Sequence, residues 1–478
     1  MNNQLAVAIA LAISSSPVMS IAEDDLTTLR GQLETMKQEY EQRIQALEKR
    51  LEDAEDAAQS AQSTAKRAEE AAYDVVPSGQ SSSANAFNPA ISLILDGRYA
   101  HFSNAANYKI PGFQLGGEAG LGKSGLSLGH SELAMSANID DKFYGKLTVA
   151  LHDHDGETKV ELEEAYFETL ALGNGFTVKA GRFLSAVGYL NEHHEHAWDF
   201  ADAPLIYRGL FGNQIRDDGI QVNWIAPTDL FIQTGAELFR GDAFPAGGGA
   251  HDGVGAYSLF ANLGGDIGVS HSWQIGFSHW SANVENRAGG HGHEEAHEGE
   301  HEGEHEEEHE HELHHVAHNP SFTGDSYVNA IDFIYKWAPN GNPKNRNFKF
   351  QWEYFDRREE GNIAMLGSDP LEMSHYDGHQ KGWYAQTVYQ FMPQWRVGLR
   401  YDRLDSNNTT SNAEVLEEAG LHNEGITPER YSLMIDWSNS EFSRFRLQFN
   451  RDESSNEPDD QVFLQYTHSL GSHGAHQF

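Results

Sequence analysis

Two groups of histidines interleaved with carboxylates are the residues in this 478-residue chain whose types and spacing could do chemistry. The first is compact: Glu192-His193-His194-Glu195-His196, followed by Asp199 and Asp202. The second is extended: His291 and then His293, His297, His301, His305, His309, His311, His314, His315 and His318, separated by glutamates and without Lys or Arg. Imidazole with carboxylate suits zinc, copper and nickel. Many ligands without fixed spacing predict a loose multi-ion binder in the second group, for zinc or another divalent cation, and no tightly held cofactor. His293 to His309 step by four, which on a helix would bring neighbouring pairs to one side, but Gly299 and Gly303 oppose a stable helix. The alternative is a solvated acidic low-complexity segment with no metal role.

The charge balance points the same way. The chain has 72 Asp+Glu against 33 Lys+Arg, a formal net charge of -39. Nucleic acid is excluded as a natural partner, because phosphate binding needs basic patches, and cations are the partner such a field attracts. There is no Cys, which removes disulfides, thiolate metal sites and Cys nucleophiles together. No catalytic constellation stands out from the abundant His and Asp, so no enzyme is expected.

The elements that must position these residues read as strands. Gly (46), Phe (25), Tyr (18) and Trp (9) are plentiful, yet the mean hydropathy is -0.59 and no long apolar run follows the N-terminus. This fits an all-β transmembrane barrel whose strands alternate lipid-facing and water-facing residues. From Ile91 the dominant period is two. Phe348, Phe350, Trp352 and Tyr354 alternate with Lys349, Gln351 and Glu353. Trp395, Val397, Leu399 and Tyr401 alternate with Arg396, Arg400 and Asp402, and Phe445, Leu447 and Phe449 with Arg444, Arg446 and Gln448. Charges at every second position predict a wet interior.

About sixteen antiparallel strands are expected between residues 91 and 470, in a barrel domain over 91–478. Short connections alternate with mostly longer ones, as a barrel with short periplasmic turns and long outer loops requires. That parity puts the compact histidine group in the third outer loop, over residues 184–218, and the extended group in the fifth, over residues 283–325. A third loop folded inward would put His193, His194, His196, Glu192 and Asp199 at the pore constriction, with Arg182, Arg208 and Arg216 facing Asp202 and its neighbours across the pore.

Before the barrel, Leu5 to Ile13 and the small-x-small triplet Ser20-Ile21-Ala22 predict a signal peptide over 1–22, although Met1 to Gln4 lack a basic residue. An apolar stripe of Leu26, Leu29, Leu33, Met36, Tyr40, Ile44, Leu47 and Leu51, continued by alanines, predicts a periplasmic α-helical coiled coil over 23–76. Two strands or three are left open, and a solvated single helix is the alternative. Residues 77–90 read as a linker. The chain ends on Phe478, a terminal aromatic that resembles the signal read by barrel-assembly machinery.

Gly181-Arg182-Phe183, Gly188, Asn191, the histidine run, Trp198-Asp199-Phe200, Pro204-Leu205, Tyr207-Arg208-Gly209-Leu210-Phe211-Gly212 and Asp217-Asp218-Gly219 resemble the family of porins related to phosphate-selective porins. The closer likeness is to zinc-regulated outer-membrane proteins of Gram-negative bacteria, often labelled TonB-dependent receptors. The stripe before the barrel is similar to that of sugar porins, which implies a homotrimer. The resemblance implies an outer-membrane channel in contact with lipid. The acidic balance departs from anion selection and favours divalent metal uptake, zinc above all. A general or anion-selective porin without a metal role and a TonB-dependent metal receptor remain the alternatives. The latter needs a plug and about 22 strands, for which residues before Ile91 leave no room.

Overall fold

The period-two pattern becomes strand throughout. The computed structural model describes residues 89–471, apart from 105–107, 117–118, 155–156, 248–251, 289–318 and 367–371. The expected signal peptide, coiled coil and nearly all of the linker, the whole extended histidine group and Phe478 lie outside the described residues.

The strands are β1 (Ala90–Phe102), β2 (Gly125–Leu128), β3 (Ser131–Asn138), β4 (Phe143–His154), β5 (Glu157–Thr169), β6 (Phe176–Leu184), β7 (Arg216–Ile225) and β8 (Phe231–Phe239). They continue as β9 (Ala256–Ile267), β10 (His271–Ala288), β11 (Asn319–Trp337), β12 (Asn347–Leu366), β13 (Glu372–Met392), β14 (Trp395–Thr410), β15 (Glu429–Ser440), β16 (Ser443–Glu453) and β17 (Asp459–Gly471). Each pairs antiparallel with its neighbours, and β1 pairs with β17 over Ser92↔Gly471 to Phe102↔Gln461, which closes the sheet. Segments β2 and β3 both pair with β1, one above the other, so they form one stave interrupted at Gly129-His130. The seventeen segments therefore make the sixteen staves the alternation predicts.

Connections on one rim are short turns, and both ends of the barrel, Ala90 and Gly471, lie on that rim. The other rim carries the connections over residues 103–124, 185–215, 240–255 and 411–428, and there β10 ends and β11 begins. Residues 357–381 are mostly strand. Strands β12 and β13 run 20 and 21 residues, leaving only 367–371 between them. The alternation continues past the apolar stretch as Arg358 and Glu360 against Arg357 and Glu359, so the ladder has no reason to stop there.

The outward face is apolar. Leu399 faces Leu433, and Leu447 faces Ile435 and Leu464 on adjacent staves. Trp395, Trp437, Phe445 and Tyr466 form a row of ring contacts near the short-turn rim, at centroid distances of 6.3, 6.1 and 4.3 Å. Trp383, Tyr401 and Tyr431 form a second row further up. Apolar side chains between two aromatic rows are how a barrel meets a bilayer. Replacing Leu447 by Arg should destabilise the inserted barrel by about 2–4 kcal/mol, the cost of a guanidinium at mid-bilayer depth. Urea titration of the protein folded in lipid vesicles measures this, and an unchanged midpoint would show that Leu447 does not face hydrocarbon.

The inward face departs from expectation. Loop structure enters the lumen at mid-height. Residues 110–115, 185–215 and 415–421 of the long-loop rim fold inward, and Phe113, Leu205, Leu210, Phe211 and Leu416 join one buried apolar cluster with wall residues such as Phe355 and Tyr384. Some inward charges, among them Arg400, Arg430 and Arg446, end on that loop structure, as a buried charge requires.

Candidate pore constriction

Residues 185–215 form the third connection on the long-loop rim and cross the lumen. The loop is closed on itself by Asn191, whose Nδ2 donates to the carbonyls of Ser185 (2.7 Å) and Ile215 (2.8 Å) and whose Oδ1 accepts from Ile215 N (2.7 Å). Its start is pinned by Glu237 on β8, which accepts from Ser185 Oγ (2.5 Å) and Ala186 N (3.0 Å). Gly188 has φ +80, and an added Cβ would meet Tyr207 Oη and Glu353 Oε2 at 2.6 Å, so only glycine fits there. After two 3-10 turns the loop ends in helix α1 (Leu205–Phe211), entered through Pro204 and stopped by Gly212 in the left-handed region. Every residue of α1 is buried.

The loop is fixed by charge at two stretches of wall. On the β12–β16 side, Asp199 accepts from Lys349 Nζ (3.1 Å) and Arg396 Nη1 (3.0 Å). Asp202 accepts from Arg400 (2.7 Å), Arg430 (2.9 Å), Gln448 (2.7 Å), Asn450 (3.1 Å) and Arg208 (3.3 Å). Burial alone would raise both carboxyl pKa values, but Lys349 and Arg396 around Asp199, and Arg400, Arg430 and Arg208 around Asp202, hold them well below the usual carboxylate range. Arg444 and Arg446 donate to the carbonyls of His196 and Trp198, each at 2.7 Å. Glu353 on β12 accepts from Leu190 N (3.0 Å) and Tyr207 Oη (2.8 Å).

On the β3–β5 side the wall is acidic. A β-bulge places Glu163 as an extra residue between the pairs Thr148↔Glu164 and Val149↔Leu162, so two successive glutamates, Glu163 and Glu164, reach inward. The break at Gly129-His130 turns His130 toward Glu132, and a Cβ at Gly129 would strike Asp96 Oδ2 at 2.6 Å. His194 meets all three glutamates: its Nδ1 lies 3.4 Å from Glu132 and 3.3 Å from Glu163, and its Nε2 lies 2.8 Å from Glu164. His196 Nδ1 lies 2.7 Å from Glu132, and His130 Nε2 lies 2.9 Å from Glu163. Burial alone would lower the His194 pKa. Glu132, with hydrogen bonds to Glu163 and Glu164, outweighs it and pushes the value up to about 10.

The compact histidine group therefore divides. His194 and His196 converge with carboxylates. His193 turns away: its Nδ1 donates to the Tyr189 carbonyl at 2.8 Å, and burial together with Lys349 lowers its pKa to about 4. Glu192 is an exposed residue, yet the surrounding protein and then Glu237 raise its pKa to about 7. Asp199 belongs to the basic wall, not to a ligand cluster, because both its oxygens are taken by Lys349 and Arg396. Of the residues expected at a constriction, Arg208 and Asp202 meet inside the lumen, and Arg216 pairs with Glu161 and Glu163. Arg182 does not join them. Its neighbour Phe183 is the fully buried, inward residue, so Arg182 lies on the outward face, paired with Asp218 at 2.8 Å. His293, His297, His301, His305, His309, His311, His314, His315 and His318 lie outside the described residues.

Sequence reasoning missed His130, Glu132, Glu163 and Glu164. The signal was present: Glu161-Leu162-Glu163-Glu164 breaks the alternation of a strand, and Gly129-His130 interrupts another.

No family model matches the chain. Among solved structures it is similar to the outer membrane channel DcaP of Acinetobacter baumannii, with 12% identity, 82% of this chain and 100% of that chain covered, and a TM-score of 0.49. It is also similar to OprB of Pseudomonas putida, with 12% identity, 80% and 94% covered, and a TM-score of 0.46. In sequence the chain is 30% identical over 425 residues to an uncharacterized protein of Aquifex aeolicus (strain VF5), covering 85% of this chain and 82% of that protein. At that identity and length, the chain belongs to the same family as the Aquifex aeolicus protein.

Proposed function

We propose that the protein is an outer-membrane channel whose inward-folded third loop sets what passes, and that its cargo is a divalent cation of the zinc class. The carrying observation is the loop over residues 185–215, which crosses the lumen and presents histidines to an acidic wall and aspartates to a basic one. A net charge of -39 concentrates cations at the mouth. In this reading the His/Glu-rich segment over 291–318 captures metal outside, the coiled coil gathers the chains as a homotrimer, and Phe478 addresses barrel-assembly machinery. Sixteen staves fall short of the about 22 of a TonB-dependent receptor, which weighs against that alternative.

A general or anion-selective porin is the second reading. Arg396, Arg400, Arg430, Arg444 and Arg446 on neighbouring staves favour it. Reversal potentials in planar bilayers separate the two. The full chain should be cation-selective, with a zinc-dependent shift that shrinks when residues 290–318 are removed. Anion selectivity with no zinc effect would leave only the porin reading, and no conductance under any condition would remove the channel.

A further inference from the structure

We infer that His130, Glu132, Glu163 and His194 form a buried site for one divalent transition ion, of the zinc, copper or nickel class, and that the ion ties the third loop to the barrel wall. The inference deepens the channel reading at the same loop and rests on it for its consequence, though not for the binding itself.

Geometry comes first. One donor atom each from His130, Glu132 and Glu163 lies within 4.8 Å of the others. The fourth donor, His194 Nδ1, stands 3.4 Å from Glu132 Oε2 and 3.3 Å from Glu163 Oε2. The first three suit ligands that share an ion at about 2.0–2.2 Å from each, and His194 approaches the same two carboxylates through the oxygens opposite those that face His130. Two imidazoles with two carboxylates select a borderline-soft ion over magnesium or calcium, which prefer oxygen alone.

Charge and orphaned polarity point the same way. Five carboxylates meet at this stretch of wall: Glu132, Glu161, Glu163, Glu164 and Glu195. Lys146, Arg216 and the imidazoles of His130, His194 and His196 stand among them. Glu132 and Glu163 are almost fully buried, so an ion held there would meet carboxylates largely out of bulk water. Thr148, on the stave between Glu132 and Glu164, is fully buried on the inward face, and its Oγ1 has no hydrogen-bond partner among the described residues.

The arrangement also explains why the ion would matter to the loop. Three ligands come from the wall, at β3, β5 and the break before β3, and one comes from the loop. Coordination would hold His194, and with it the stretch of loop between the Asn191 closure and the α1 helix, against the acidic wall.

Zinc anomalous diffraction from crystals of the full chain tests the site. A peak is expected at coordination distance from His130 and Glu163, in addition to any at the His/Glu-rich segment. The Glu163→Gln chain should lose that peak, and so should His130→Asn if the first variant folds poorly. Zinc should also slow hydrogen exchange of residues 190–204 by about tenfold or more in the natural chain, and not in either variant. Zinc bound only at the His/Glu-rich segment, or exchange that zinc leaves unchanged, overturns the inference. A chain that shows the peak and slowed exchange but never conducts keeps this site and loses the channel reading. One that conducts without the peak does the reverse.

Discussion

Asp202→Ala releases the third loop and raises single-channel conductance: that is the largest effect expected of one substitution in this protein. The carboxylate is buried and accepts from three guanidiniums and two amides. Removing it leaves Arg208, Arg400 and Arg430 buried together, and Arg430 is fully buried. Breaking a buried pair from one side costs about 3–5 kcal/mol, because a charge remains without compensation. At about 1.4 kcal/mol per tenfold, the docked loop loses at least about a hundredfold in population relative to an undocked one. The ladder hydrogen bonds of the staves do not involve Asp202, so the barrel itself should survive. Conductance measures the effect directly, and hydrogen exchange over residues 198–212 measures it without reference to transport. Unchanged exchange in the alanine chain would show that Asp202 does not fasten the loop. Asp202→Asn keeps the shape and some of the hydrogen bonding, and should fall between the two.

Tyr207→Ala is the second. Tyr207 is fully buried on α1, its hydroxyl donates to Glu353, and its ring packs edge-on against Phe211, Phe355 and Tyr384 at 5.5, 5.3 and 6.2 Å. Truncation removes the ring, opens a cavity and strips Glu353 of one donor, at a cost of about 3–5 kcal/mol. Tyr207→Phe isolates the hydroxyl and should cost only about 1–2 kcal/mol. Exchange rates of the α1 amides read both. If the alanine chain protects α1 as well as the natural chain does, the helix is held by something other than this ring. Since Asp202 and Tyr207 lie on one loop, the double substitution should be less than additive: once the loop is undocked, the second loss has little left to remove.

The staves were legible because their chemistry is local. Alternation of Phe348, Phe350, Trp352 and Tyr354 with Lys349, Gln351 and Glu353 says which face is which, and the structure places them so. The inward course of the third loop was legible only by resemblance. How the interior is satisfied was not legible at all. Arg400 and Arg446 read as residues for water, yet they end on Asp202 and on the carbonyl of Trp198, roughly two hundred and more residues away in sequence. Contacts of that separation leave no period in the sequence. The acidic half of the site was hidden for a different reason. Glu132 and Glu163 sit on strands, where a single charge reads as one more lumen-facing residue, and only the bulge and the broken stave turn them toward His194. Arg182 was misplaced by one step of the alternation, which in a strand is the difference between inside and outside.

The seam between β1 and β17 has a kinetic consequence. One edge of the first stave, eleven residues long, finds its partners only in the last, as with Gln465 on Asp96, 369 positions away. Until the final segment arrives, the growing sheet has two open edges, each a row of unpaired amides and carbonyls able to capture another chain. Contacts at such separation also form slowly. A chain truncated before Asp459 would therefore not be a slightly smaller barrel but an adhesive sheet, and the time spent with open edges is the interval during which this protein most needs to be chaperoned.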